Sequence, residues 1–151
     1  MPAAEILPVY TIGFTKKNAA QFFEKLRASG VKRVVDVRLN NSSQLAGFSK
    51  RDDLKYFLDK ILGIEYVEEP LLAPTQPLLD AYKKNSGDWA VYERAFLNLM
   101  AERKIEDKID PATIAGGCLL CSEDKPHQCH RRLVAEYLNQ RWGNLQINHI
   151  V

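Results

Sequence analysis

No apolar run in this chain approaches the ~20 residues that a membrane-crossing helix requires. The opening "MPAAEILPVY" also has neither the basic start nor the long apolar core of a secretory leader. Both absences lead us to expect a cytoplasmic protein with no membrane partner. An excess of one charge is missing too: 21 basic and 19 acidic residues leave a formal net charge of +2, so no global field points to nucleic acid and any basic site has to be local. Cysteine is scarce and odd in number, with three among 151 residues of which 46% are hydrophobic. A chain of that size closes a core without disulfide staples, so the cysteines count as thiols, ligands or filler in a reducing compartment. Glycine is lacking where a dinucleotide would need it, because "TIGFTKKN" carries a single one; no nicotinamide or flavin role is supported and no cofactor is expected. Repeats, low-complexity tracts and long internal linkers are absent as well, which leaves one domain over 1–151.

What is present alternates between two periodicities. "VYTIG" is short, rich in β-formers and closed by glycine, as a strand is. Asn18 then caps a helix in which Ala19, Phe22, Phe23 and Leu26 recur at helical spacing before Gly30 ends it. "RVVDVRL" reads as a strand covered on both faces, with Asp36 and Arg38 on the same side. After the loop "NNSSQLAGF", Ser49 and Asp52 suit a helix start; Leu54, Phe57, Leu58, Ile61 and Leu62 mark its apolar face and Gly63 its end. "IEYVEEP" is a third strand stopped by Pro70, and a broken helix and turn follow from Pro74 to Asp88. Trp89, Tyr92, Phe96, Leu99 and Met100 restore helical spacing to about Arg103, and a charged stretch of mixed character leads to "CLLC", a fourth strand. Leu133, Val134, Tyr137, Leu138 and Trp142 define a last helix before the strand "LQINHIV". Strands alternating with helices predict a three-layer α/β/α domain with a mainly parallel, Rossmann-like sheet of about five strands. In such sheets ligands bind beyond the carboxyl ends of the strands.

The densest polar stretch, "CSEDKPHQCHRR" from Cys121 to Arg132, falls at one of those ends. At about 100° per residue, the arc of Leu133, Val134, Tyr137 and Leu138 centres close to His130, which therefore points inward over the sheet. Arg131 lies at the edge of that arc, while Arg132 lies on the far side, where an exposed pair with Glu136 is expected. The helix start favours an anion and the thiolate of Cys129, and it disfavours protonation of His130. Glu123 is then a neighbouring carboxylate or a general acid or base in its own right. Arg131 and, across the sheet, Arg38 have the planar fork that grips phosphate or carboxylate.

Through "TIGFT", "VDVR" with a Ser-containing loop after it, "GIEY", "LLCSE" and "CHRRLVAEYL", the chain resembles, over nearly its full length, the bacterial and archaeal family called domain of unknown function 488. "CxE" followed by "CHR" is the specific part of the likeness. The resemblance implies a compact α/β fold, and its pattern picks out Gly13, Asp36, Arg38, Cys121, Glu123, Cys129, His130 and Arg131. Many relatives look like "TIGHS" where this chain has "TIGFT", so Phe14 stands in place of an imidazole. The family name itself supplies no reaction.

Plainer readings stand beside these. Cys121 ends a buried strand, where a thiol is often small apolar filler, and Cys118, facing the opposite side, reads as filler. "CLLC" with Cys129 and His130 superficially makes a Cys3His zinc set, but leucines in the gap suggest an extended strand rather than a zinc knuckle, and no metal is expected. A Cys-x5-Arg phosphatase loop is absent, since His127 stands six residues after Cys121. Asp36 with Arg38 is either part of an anion site or an ion pair that organises the strand end. Our leading expectation is an enzyme, a hydrolase or group transferase. In it Arg38, Arg131, Asp36 and Gly13 serve an anionic, phosphate- or nucleotide-like ligand while Glu123, His130, Cys121 or Cys129 carries proton or nucleophile work. A non-enzymatic nucleotide- or nucleic-acid-binding module and a thiol sensor using Cys121 and Cys129 are the alternatives.

Overall fold

A computed structural model of the chain describes residues 6–39, 50–84, 87–121 and 129–151. Strand β1 (Leu7–Gly13) leads to helix α1 (Ala19–Ser29), whose N-terminus is closed by a reciprocal pair of bonds: Asn18 Oδ1 accepts from the Gln21 N–H, and Gln21 Oε1 from the Asn18 N–H. Gly30, in the left-handed region at φ 72°, ends it. Strand β2 (Arg33–Asp36) precedes helix α2 (Arg51–Phe57), which continues as a π-turn over Leu58–Leu62. The expected cap, Ser49, lies outside the described residues; the position before Arg51 is held by Lys50, with no side-chain bond to the helix.

Strand β3 (Glu65–Glu68) runs into a 3-10 turn over Pro70–Leu72, and helices α3 (Gln76–Lys84) and α4 (Trp89–Arg103) follow. The charged stretch after Arg103 resolves into two single turns, α5 (Ile105–Lys108) and α6 (Pro111–Ile114). Strand β4 (Gly117–Cys121), helix α7 (His130–Trp142) and strand β5 (Leu145–His149) complete the chain. Among the described residues no helix is long and apolar enough to cross a membrane.

The five strands form a parallel sheet in the order β3-β2-β4-β1-β5, with layers of helix on both sides. One apolar cluster joins α1 and α2 to the sheet through Phe22, Phe23, Leu26, Leu54 and Leu58 against Ile12, Val34, Cys118 and Leu120. The other joins α4, α5 and α7 to the opposite face through Phe96, Met100, Ile105 and Val134 against Val9, Val35, Leu119 and Cys121. All five residues of β4 are buried, as its central place demands. Gly117 is required there: a Cβ on it would stand 2.9 Å from the Thr113 carbonyl oxygen.

This strand order places the crevice. The connections leaving β1 and β2 pass over the α1–α2 face, whereas the connection leaving β4, which lies between them, passes over the α7 face. Divergence of neighbouring connections opens a gap above the carboxyl ends of the strands.

Candidate functional site at the carboxyl edge of the sheet

On the α1–α2 side of that edge stands a buried ion pair. Asp36 Oδ1 accepts from Arg38 Nε at 2.9 Å and from the Arg38 backbone N–H at 3.0 Å, while Oδ2 accepts from Arg38 Nη2 at 2.8 Å. The Tyr66 hydroxyl also donates to Oδ2. Register explains the fourth contact: Tyr66 lies opposite Val34, so its side chain emerges on the face that Asp36 also uses. Burial, then the bond to the Asp36 carboxylate, raises the Tyr66 phenol and keeps it a donor. The Arg38 guanidinium lies over the Phe14 ring, 5.5 Å from its centroid. With Nε and Nη2 committed to Asp36, Nη1 is buried and has no hydrogen-bond partner among the described residues.

On the α7 side the groups are softer. Cys121, at the end of β4, and Cys129, immediately before α7, are buried and joined by a disulfide, with Cα atoms 7.3 Å apart. Our reading of the sequence gave no disulfide a role in stability; the fold nonetheless brings these two sulfurs together, because the end of β4 and the start of α7 meet at this edge of the sheet. His130 is tucked against the Phe96 ring at 5.5 Å between centroids, and its Nε2–H donates to the Val37 carbonyl oxygen at 2.7 Å. A carbonyl only accepts, so the neutral ring carries its proton on Nε2 and its lone pair on Nδ1. Burial lowers the His130 pKa to about 4, with the Arg131 charge adding to it against the Val37 bond and Asp36. Arg131 is fully buried, and its charge acts on His130, Cys118 and His149. Arg132 pairs outward with Glu136 and Glu93, each at 3.4 Å.

A model of the family described as domain of unknown function DUF488 matches residues 18–138. The chain belongs to this family. The match includes every polar group just described at the ends of β2 and β4 and leaves β1, with Gly13 and Phe14, outside it. No curated protein and no solved structure matches the chain.

Set beside the sequence reading, this DUF488 domain divides the expected site. Gly13 is buried and lies in register with Cys121, and Val37 links the two sides, offering its carbonyl to His130 while the next residue, Arg38, engages Asp36. Yet Arg38 with Asp36 belongs to one face and Cys121, Cys129 and His130 to the other. Glu123 and His127 lie outside the described residues. Cys118 faces the α1–α2 cluster, away from Cys121, as strand alternation requires.

Sequence reasoning did not assign Tyr66, Glu68, Glu69, Thr75 or Arg103 to the site. A cleft of about 500 Å³ at the ends of β2 and β3 is lined by Arg38, Arg51, Glu68, Glu69, Thr75 and Arg103, among others. Arg51 pairs with Glu68 at 3.5 Å, and Arg103 braces the turn after β3 by donating to the Leu71 and Ala73 carbonyls at 2.7 Å. Burial raises the Glu69 carboxyl, the direction that suits a general acid. Tyr66 was legible in principle, since it sits at an alternating position of a strand beside β2. Arg103, 34 residues downstream of Glu69 in the chain, gave no local signal at all.

Proposed function

We propose that this DUF488 domain is an enzyme, a hydrolase or group transferase, that takes an anionic, phosphate- or nucleotide-like group into the cleft at the carboxyl ends of β2 and β3. The observation that carries this reading is the Arg38 guanidinium: two of its nitrogens are held by Asp36, and Nη1, buried at the edge of the cleft, has no hydrogen-bond partner among the described residues. A guanidinium oriented by a carboxylate is pre-organised for oxyanion binding, because its position is set before the ligand arrives. Arg51, paired with Glu68, also lines the cleft. Glu69, with its raised carboxyl, and His130, neutral at physiological pH, are the proton-transfer groups at this edge.

Calorimetric titration with inorganic phosphate and with a nucleoside monophosphate tests the binding step. Arg38→Lys, which keeps the charge and loses the fork, should weaken binding at least tenfold; equal affinity for both proteins overturns the reading. Phosphate release from a panel of phosphate esters tests the chemical step. Binding without turnover, with an affinity that falls steeply with salt, assigns the domain instead to non-enzymatic nucleotide or nucleic-acid binding. A second reading, thiol–disulfide chemistry, is favoured by one specific observation, the Cys121–Cys129 bond.

A further inference from the structure

We propose that Cys121, Cys129 and His130 form a redox-gated site for a thiophilic divalent cation of the zinc class: joined to each other, the sulfurs exclude the ion, and reduced, they bind it together with the imidazole. The inference builds on the Cys121–Cys129 pair of the second reading and is independent of anion binding at Arg38.

Three observations support it. The two sulfurs and a ring nitrogen of His130 all lie within 4.8 Å of one another, and the ligand atoms of a tetrahedral zinc site stand about 3.5–3.8 Å apart; once the S–S bond is broken the sulfurs part to that spacing, and a shift of about an ångström brings the ring nitrogen in. The Cα atoms of the cysteines are 7.3 Å apart, beyond the roughly 4.4–6.8 Å that most disulfides span, so the backbone suits two separate sulfurs around one ion at least as well as a bonded pair. The Nε2–H bond from His130 to the Val37 carbonyl is the outer contact that a metal-binding histidine needs. It fixes the ring orientation and leaves Nδ1 as the lone-pair donor.

The donor chemistry selects the ion. Two thiolates and an imidazole are soft and borderline ligands that favour zinc over magnesium or calcium. Cys118, on the opposite face of the sheet, cannot join them. Three protein ligands leave a fourth coordination position for water or an exogenous group, as in zinc sites that perform chemistry rather than only hold a fold.

The gate is a balanced exchange. A dithiol reductant attacks the Cys121–Cys129 bond, the S–S bond breaks, the reductant leaves as its own disulfide, and its two protons and two electrons appear as two cysteine thiols. Binding of the divalent ion then releases those two protons as both thiols become thiolate ligands.

Cobalt(II) is the probe. The full chain, reduced with a phosphine and freed of metal, should bind one equivalent and develop thiolate-to-cobalt absorption in the near ultraviolet together with tetrahedral visible bands; zinc should displace it. The oxidised chain should show neither, and reduction should restore both. Cys121→Ser, Cys129→Ser and His130→Gln should each weaken cobalt binding at least tenfold, while Cys118→Ala leaves it unchanged. Because a variant can fail to fold, the comparison of reduced with oxidised wild type stands as the primary test. A reduced wild type that binds no stoichiometric cobalt, or binds it without thiolate absorption, overturns the proposal. Phosphate binding with no cobalt binding fails this inference alone, and cobalt binding with no phosphate binding fails the anion reading alone.

Discussion

Two sides of one sheet edge, a few residues apart, solve the problem of burying polar groups in opposite ways. On the α1–α2 side Asp36 collects four hydrogen bonds, three from Arg38 and one from Tyr66, and the pair is almost wholly removed from water, with side-chain exposures of 2% for Arg38 and 0% for Asp36. Such a cluster has no alternative state: loss of one partner leaves a charge stranded in a medium that cannot solvate it. On the α7 side Cys121, Cys129 and His130 are neutral in the oxidised protein and sit against Phe96 and the apolar cluster below. Neutral groups tolerate the interior without a partner charge. The first side is held by charge pairing, and the second by apolar packing around neutral groups. Their separation follows from topology, because the connection from β2 crosses one face and that from β4 the other.

The contrast is broken or sharpened by four measurements. Asp36→Ala should have the largest effect, since it buries an unpaired guanidinium and removes the acceptor of Tyr66; urea unfolding should show a loss of ~3–5 kcal/mol. A loss smaller than that caused by removing the Cys121–Cys129 bond would reverse the order of the two sides. Next comes acid sensitivity of the oxidised, metal-free chain. Folded His130 titrates at about 4 against about 6.5 for an unfolded histidine. Between those values the unfolded chain binds more protons, so this contribution is fully present above about pH 6.5 and is lost as the pH falls through the folded value, ~3 kcal/mol in all. The stability–pH curve of His130→Gln should lack that slope. Reduction of Cys121–Cys129, or its replacement by two alanines, opens a loop with a sequence separation of 8. On the chain-entropy account this costs about 2.5 kcal/mol, measurable by thermal unfolding with and without reductant. Smallest is Tyr66→Phe, which removes one bond to a charged acceptor and should cost about 2 kcal/mol while leaving cobalt binding by the other side untouched.

Much of the fold was readable from local chemistry. The Asn18 cap, the left-handed glycines at 30 and 63, and the apolar faces of α1, α4 and α7 all appear where spacing and turn residues place them. Helix periodicity from His130 also put the imidazole inward and Arg132 outward, as found. It was less informative about Arg131: the helical wheel set this residue at the rim of the apolar arc, and the structure buries it completely. A wheel has no information on what covers its edge. Arg38 and His130, expected above one crevice, lie on opposite faces of the sheet and are linked only through Val37. The alternation of strand side chains predicts the side of Asp36 within β2 but cannot say which side of β4 that corresponds to.

From its residue order alone this chain determined its elements, its alternating parallel architecture and the short run of cysteine, histidine and arginine in which reactive groups concentrate, because caps, periodicity and turn residues act over a few neighbours. Only the tertiary structure decided that β4 enters between β1 and β2, that Tyr66 and Phe14 complete the setting of Arg38, and that the sulfurs of Cys121 and Cys129 meet beside His130. Those contacts join segments tens of residues apart or depend on strand order. They arise when apolar faces are buried together, a condition on the whole chain that no local pattern records.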